Sequence, residues 1–366
     1  MPPQSILLIA QTDPPIHGQA IMSEQLATVM RHWPDAQVHL INASYATDRR
    51  QLGNFSWRKV LLWLSYLWRA LWICCSRRVD GIVMTHSFFP GPFVKDSAFL
   101  WLARLLGKRM LVWVHMDPRR FPWDSSRSWL ASYARRVLRL PDQWIACAPS
   151  LMKQWPSEFD RSKIRAICNG IPDPQPVIPE QKHGPIRVVY LSSMTEEKGW
   201  QDLFAVAELI CAENENVTFD FYGGPGANET QEHLHQVFAN HHHGKRLQWH
   251  GEVWGARKLE VLSQADLFCM PSWTEAFPLA VLEAMACALP VIATRVGGIP
   301  DAIADDSHGW LIKPQDRKSL ADTVRMAVLD RNKLGEMGWN NRQRFLKNFS
   351  LDAFDAQWKE LLHVGS

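Results

Sequence analysis

Short apolar runs alternate with longer amphipathic stretches along most of the chain, and the alternation is interrupted once. In the first half the runs cover residues 6–10, 38–42, 81–86, 110–115, 143–148 and 164–168. They are too short for helices and apolar without alternation, which is the pattern of parallel strands covered on both faces. Helical periodicity begins near Gln19, Ser56, Phe93, Ser125 and Ser150. Pro172, Pro174, Pro176, Pro179 and Pro185 then crowd into residues 171–185, where fixed φ and missing N–H donors exclude regular structure. The alternation restarts with runs at 188–191, 217–222, 247–250, 267–270, 291–294 and 310–312, each followed by a helix-compatible segment. This predicts an α/β chain of two doubly wound, Rossmann-like domains. Their expected limits are residues 1–170, a proline-rich linker over 171–185, residues 186–349, and a last helix within 350–366 that packs back across the domain junction.

Composition agrees with two folded domains. The 366 residues exceed what one hydrophobic core usually spans, and 46% hydrophobic with 21% charged residues excludes a disordered chain. Seven cysteines, an odd number with no C-x-x-C pair, fit a reducing compartment. The N-terminal run lacks a basic flank and a small-residue cleavage site, so no signal peptide is expected. Residues 60–75 fall short of a bilayer span and carry Arg69 in their middle.

Charge is unevenly placed. Residues 1–170 hold 22 Lys and Arg against 11 Asp and Glu, a formal +11, and residues 171–366 hold 18 against 26, a formal −8. The basic half interleaves tryptophan with arginine at 55–78 and 113–139, a composition suited to an anionic membrane or a polyanionic ligand. The apolar positions of 55–78 serve as a core stripe, as a lipid-facing edge, or as both. No zinc-finger, RRM or KH signature accompanies the charge, so nucleic acid is not an expected partner.

Ligands of open α/β sheets lie outside the carboxyl ends of strands, and two facing domains make a cleft of those ends. Residues just after strands are therefore the candidates for chemistry. After 267–270 comes PSWTEAFPLAVLEAMACALP, with a turn at Pro271 to Trp273 and Pro278 suited to the first turn of a helix. Glu275 lies in the turn, and Glu283 stands beyond Phe277 by roughly 9 Å along the helix axis at 1.5 Å per residue. A carboxylate accepts hydrogen bonds from two vicinal hydroxyls of a ribose or hexose. The helix N-terminus between the two acids offers N–H groups and a positive dipole end to a diphosphate.

Lys198 and Gly199 open the helix after 188–191, where an ammonium can reach phosphate oxygens. Gly223 and Gly224, in YGGPG, and Gly297 and Gly298, in VGGIP, form glycine turns after strands. Neither turn fits G-x-G-x-x-G, which argues against a dinucleotide fingerprint. In the first half Gly18 precedes the first helix and can admit close backbone approach. His115 ends a strand, as a structural histidine or as one facing the cleft.

EAFPLAVLEAMA resembles the E-x7-E segment of the retaining glycosyltransferases of family 4, whose GT-B architecture sets two Rossmann-like domains across a cleft. The loop ending at Gly18, the strand-end His115, Cys168 to Ile171, Glu197 to Gly199, HGEV at His250 to Val253, ADLFCMPS and VGGIPD agree in order and spacing. The resemblance implies that Glu283 binds the nucleotide ribose. It implies that Glu275 contacts the donor sugar or its phosphates, helped by the backbone of Phe277, Pro278 and Leu279. Lys198 would neutralise the diphosphate, Val253 and Trp254 would line the base pocket, and His115 would meet the transferred sugar. Gly18, Ser193, Gly223, Gly224, Gly297 and Gly298 complete the expected donor-binding set. The family often has an arginine where this chain has Ser193. That departure is consistent with reduced activity, with a substitute such as Arg119 or Arg295, or with lysine sufficing alone.

The implied reaction is transfer with retention from a UDP- or GDP-linked sugar, with no cofactor and no metal. D-x-D does not occur, so leaving-group charge falls to Lys198, helix N-termini and glycine-turn amides. The departing phosphate helps deprotonate the acceptor hydroxyl. A double displacement would instead need a carboxylate beneath the anomeric carbon, and the sequence leaves the reach of Glu275 open. The basic half suggests a membrane-held acceptor, such as a polyprenyl-diphosphate-linked glycan or a glycolipid of bacterial-type exopolysaccharide, capsule or lipopolysaccharide assembly. A cytoplasmic protein, peripheral on the inner face of the membrane, is expected. A GT-B nucleotide-sugar epimerase, a nicotinamide oxidoreductase and a non-catalytic transferase-like scaffold are the alternatives. His233, His235 and His241 to His243 read as a solvated helix end, since no acidic or cysteine ligands join them.

Overall fold

In this computed structural model residues 4–12, 17–45, 56–123, 129–177, 183–226 and 229–363 are described. The chain divides into residues 1–169 with 354–366, and residues 170–353. In the first unit β1 Gln4–Ala10, β2 Ala36–Asn42, β3 Gly81–Thr85, β4 Arg109–Val114, β5 Gln143–Ala146 and β6 Ile164–Ala166 make a parallel sheet ordered β2-β1-β3-β4-β5-β6. Its helices are α1 Gly18–Arg31, α2 Trp57–Ser76, α3 Pro90–Leu105, α4 Trp129–Val137 and α5 Pro149–Gln154.

The second unit repeats the plan. β7 Ile186–Leu191, β8 Val217–Tyr222, β9 Leu247–Trp249, β10 Leu267–Met270, β11 Val291–Thr294 and β12 Gly309–Ile312 form a parallel sheet ordered β12-β11-β10-β7-β8-β9. Its helices are α6 Trp200–Glu213, α7 Gln231–Ala239, α8 Gly255–Gln264, α9 Leu279–Ala286, α10 Ile299–Ala302, α11 Arg317–Ala327 and α12 Arg331–Asn348, and α13 Leu351–His363 follows them. Two six-stranded parallel sheets with alternating helices are the GT-B plan.

All twelve apolar runs are strands, with ends displaced by one or two residues because ladder pairing, not hydrophobicity, sets where a strand stops. β4 ends at Val114, which puts His115 in the loop beyond it. α3 starts at Pro90 instead of near Phe93, since proline in the first turn has a φ already suited to a helix. The helix start expected near Ser125 lies outside the described residues. The proline-rich segment is anchored at its beginning: Arg342 of α12 grips Asp173 with two hydrogen bonds of 2.6 and 2.7 Å, and Ile171 bridges to Ser350. α13 belongs to the first unit from Phe354 onward, where the buried rings of Phe354 and Trp358 pack on Trp113.

Two histidines stand neutral at the carboxyl end of the first sheet, His86 buried and His115 half-buried. Burial among Phe88, Phe93 and Trp144 pushes His86 down to about 4 from the ordinary 6.5. Burial, and then the neighbouring His17, push His115 down to about 3. The unfolded chain therefore takes up protons first. Stability is complete above pH 6.5 and falls as pH drops toward 4, by up to about 1.4 kcal/mol per pH unit for each histidine. The unfolding temperature of His86→Leu should fall less steeply than wild type between pH 6.5 and 4, whatever its value at pH 7. Parallel profiles would show that His86 does not titrate with unfolding.

Candidate functional site

The second sheet reverses its strand order between β7 and β10, since β7 pairs with β8 on one side and β10 on the other. At such a point successive loops part in opposite directions and leave a crevice at the strand ends. Lys198 follows β7, Glu275 follows β10, and they meet across this point with Nζ 2.6 Å from Oε1. The carboxylate is nearly buried and the ammonium partly exposed.

Backbone fit holds both loops. Gly199 has a φ of 69°, and a Cβ there would lie 2.1 Å from the carbonyl oxygen of Pro271, so only glycine lets the Lys198 loop approach the β10 loop. The Trp273 N–H donates to the Glu197 carbonyl at 2.8 Å and ties the same two loops. Gly297, at φ 56°, meets the Glu275 carbonyl just as closely, 2.1 Å from where a Cβ would stand. The Gly298 N–H donates to the Ala276 carbonyl at 2.6 Å. The VGGIP turn thus fixes the height of Glu275.

Glu283, on the fifth position of α9, is answered by a different cation. Lys258 of α8 places Nζ 2.5 Å from its Oε1. Burial pushes the Glu283 carboxyl up, and Lys258 pulls it back. Pro278 is the residue before α9 and not part of its first turn, and no side chain caps the helix there. Phe277 is buried with its ring 5.7 Å from that of Phe349, and Leu279 is half-buried as the first helical residue.

The other expected residues of this unit take the following places. The Gly223 N–H donates to the Gly251 carbonyl at 2.8 Å, and the Gly224 carbonyl accepts from Met194. With Gly298 likewise engaged, the glycine turns spend these amides on backbone closure. A Cβ on Gly223 would overlap the Ser192 carbonyl, and one on Gly224 the Glu252 carboxylate. The Ser193 carbonyl accepts from the Tyr190 hydroxyl at 3.1 Å. Of the arginines considered as replacements, Arg119 is held by Asp117 at 2.6 Å in the first unit, and Arg295 is exposed directly after β11. Val253 is half-buried and Trp254 exposed in the turn before α8.

In the first unit Gly18 opens α1, and the His17 Nδ1 caps it by accepting the Ala20 N–H at 3.2 Å. His115 lies on Trp113 with ring centres 4.0 Å apart. Its Nε2 is buried without a hydrogen-bond partner among the described residues, a group that a ligand hydroxyl could satisfy.

Lys258 was not foreseen, because an isolated lysine early in a helix carries no signal until α8 and α9 are packed. If Glu283 holds a nucleotide ribose, as its resemblance implies, removing Lys258 should shift the acidic limit of that binding. Without Lys258 the Glu283 carboxyl rises further, and a carboxylate that must accept hydroxyl hydrogen bonds is lost at higher pH. UDP-induced thermal stabilisation, followed from pH 8 to 5, should fade at higher pH in Lys258→Met than in wild type. Coincident midpoints would exclude that role.

Residues 174–344 match the family described as Glycosyl transferases group 1. The alpha-maltose-1-phosphate synthase of Mycolicibacterium smegmatis is 28% identical over 94% of this chain and 95% of its own length. The D-inositol 3-phosphate glycosyltransferase of Corynebacterium jeikeium is 36% identical over 29% of this chain and 26% of its own length. The N-acetyl-alpha-D-glucosaminyl L-malate synthase of Bacillus anthracis is 34% identical over 28% and 27%, so the match spans about a quarter of these last two relatives. Among solved structures, Anabaena Alr3699/HepE in complex with UDP superposes with a TM-score of 0.73 over 99% of this chain and 100% of its own, at 17% identity. Sucrose-phosphate synthase from Thermosynechococcus elongatus gives 0.73 over 98% of each chain at 20% identity.

Proposed function

We propose that the chain, with its group 1 transferase match over residues 174–344, is a retaining, metal-independent hexosyltransferase. Its donor is a nucleotide-diphosphate sugar, UDP- or GDP-linked, and its acceptor a hydroxyl of a membrane-associated glycan or glycolipid, such as a polyprenyl-diphosphate-linked sugar in bacterial-type polysaccharide assembly. The observation that carries this reading is the Lys198–Glu275 pair at the strand reversal, with the α9 N-terminus and Glu283 following it in sequence. UDP is the favoured nucleotide, because Alr3699/HepE is described in complex with UDP and with UDP-glucose.

In this mechanism Glu283 accepts from the ribose diol, and Lys198 with the first-turn amides of α9 takes the diphosphate. Glu275 orients Lys198 and the donor sugar, and Val253 and Trp254 bound the base. The anomeric carbon–phosphate oxygen bond breaks as the acceptor oxygen bonds to the same face. The departing β-phosphate oxygen takes the acceptor proton, so no cofactor or metal enters the balance. Lys198 stabilises charge that grows only as the bond breaks, which is where a fixed cation accelerates a reaction. A nucleotide-sugar donor and a lipid-linked acceptor place the protein on the cytoplasmic face of the membrane, held peripherally.

The test is turnover of UDP- and GDP-sugars with added glycolipid acceptors in EDTA, the product read by NMR. A product keeping the donor's anomeric configuration supports the reading, and inversion or a requirement for divalent metal overturns it. Interconversion of the donor sugar with no acceptor would identify an epimerase, and nucleotide binding without turnover a scaffold.

A further inference from the structure

Helix α2 is apolar on two opposite sides. One side faces the unit, with Ala70, Ile73 and Cys74 buried and the Trp63 indole N–H donating to the Lys95 carbonyl of α3 at 3.1 Å. On the other side Trp57, Leu61, Leu64, Trp68, Leu71 and Trp72 face solvent, the three indoles 74%, 64% and 50% exposed. At 100° and 1.5 Å per residue these six occupy an arc roughly 100° wide along about 22 Å of helix axis. Arg58, Ser65, Arg69 and Ser76, all exposed, run along one margin of the arc. Arg77 and Arg78 follow the C-terminus, and α2 contains no acidic residue.

This inverts the usual amphipathic helix, whose outer face is polar. The three indoles alone expose on the order of 400 Å² at about 200 Å² per side chain, near the upper range for any patch on a soluble monomer. The adjacent α3 adds a second exposed stripe of Val94, Trp101 and Leu105.

We propose that the outer face of α2 docks in the plane of an anionic lipid bilayer, with Trp57, Leu61, Leu64, Trp68 and Trp72 at the headgroup–acyl boundary and Arg58 and Arg69 on lipid phosphates. Charge selects the occupant. The charged residues on its margin are Arg58 and Arg69, and the face belongs to a half-chain of formal charge +11, which fits an anionic surface. A second copy paired isologously would bring the same arginine-bordered faces together. Among the described residues no helix is long and apolar enough to cross a membrane, so α2 lies on the bilayer. Tryptophan supplies the amphipathic ring, and the arginine stems extend along apolar surface while their heads reach phosphate.

The proposal stands on the surface itself and not on the transferase reading, and the experiment separates the two. The full chain is floated with vesicles of phosphatidylcholine alone and of phosphatidylcholine with one third phosphatidylglycerol, at low and high salt. Wild type should float with the anionic vesicles at low salt with a blue shift of tryptophan emission, and only weakly with the neutral ones. Trp68→Ser/Trp72→Ser should lose binding by tenfold or more, and Arg58→Ala/Arg69→Ala by about thirtyfold. Both double variants alter exposed positions and should unfold at the wild-type temperature. Wild type remaining in the soluble fraction overturns the proposal. So does tryptophan-independent binding, which would be charge attraction alone, or a vesicle-independent dimer that the tryptophan variant dissociates. UDP stabilisation without flotation removes the docking face and leaves the donor site, and flotation without any nucleotide response does the reverse.

Discussion

Glu283→Ala is expected to abolish stabilisation by UDP. In the proposed site the carboxylate accepts from two ribose hydroxyls, and charge-assisted bonds contribute about 1.5–3 kcal/mol each. Losing both weakens binding by about 10²-fold or more. At a UDP concentration of about 100 times its Kd, wild type gains about 2.7 kcal/mol, and a 10²-fold weaker variant gains only about 0.4 kcal/mol. A thermal scan in EDTA resolves that difference. Glu283→Ala also leaves Lys258 without its carboxylate, so Glu283→Gln is the necessary companion: it keeps the shape and a hydrogen-bond acceptor while removing the charge. Affinity should fall in the order wild type, Gln, Ala. Equal stabilisation of all three would remove Glu283 from the nucleotide site.

Lys198→Ala is expected to reduce kcat by about 10²–10³-fold, the usual loss when one preorganised charge partner of a leaving group is deleted. KM for the donor should change much less, because the diphosphate gains its extra charge during bond cleavage. The substitution has a structural effect as well. Glu275 is nearly buried against Lys198 at 2.6 Å, and a buried carboxylate stripped of its cation costs about 2–4 kcal/mol. Lys198→Met/Glu275→Gln should therefore regain stability without regaining turnover, the non-additivity expected of residues in contact. Recovery of activity in the double variant would show that the pair is only structural.

Much of the candidate site could be read before any fold was known. Glu275, Glu283 and Lys198 stand out because they follow buried strands, and strand ends are where an α/β sheet binds. The glycines at 199 and 297 were also visible, but their purpose was not. Each lets one loop pass within 2.1 Å of where its side chain would begin, against Pro271 and Glu275 respectively. The amides of Gly223 and Gly298 looked available for phosphate, and are taken by Gly251 and Ala276. A sequence shows that a residue has an N–H, but not which carbonyl folding brings beneath it.

The sequence by itself determined the two arrays of parallel strands, since a strand covered on both faces must be apolar throughout and a parallel connection needs a helix to return. It also determined which loops follow the strand ends, where an open α/β sheet takes its ligands. Only the tertiary structure decided that Lys198 pairs with Glu275 and Lys258 with Glu283, contacts made between elements 77 and 25 residues apart. It decided as well that α2 presents tryptophan to solvent. Helical periodicity reports that a face is apolar, and α2 has two such faces. Only packing against the rest of the unit selects which one is buried.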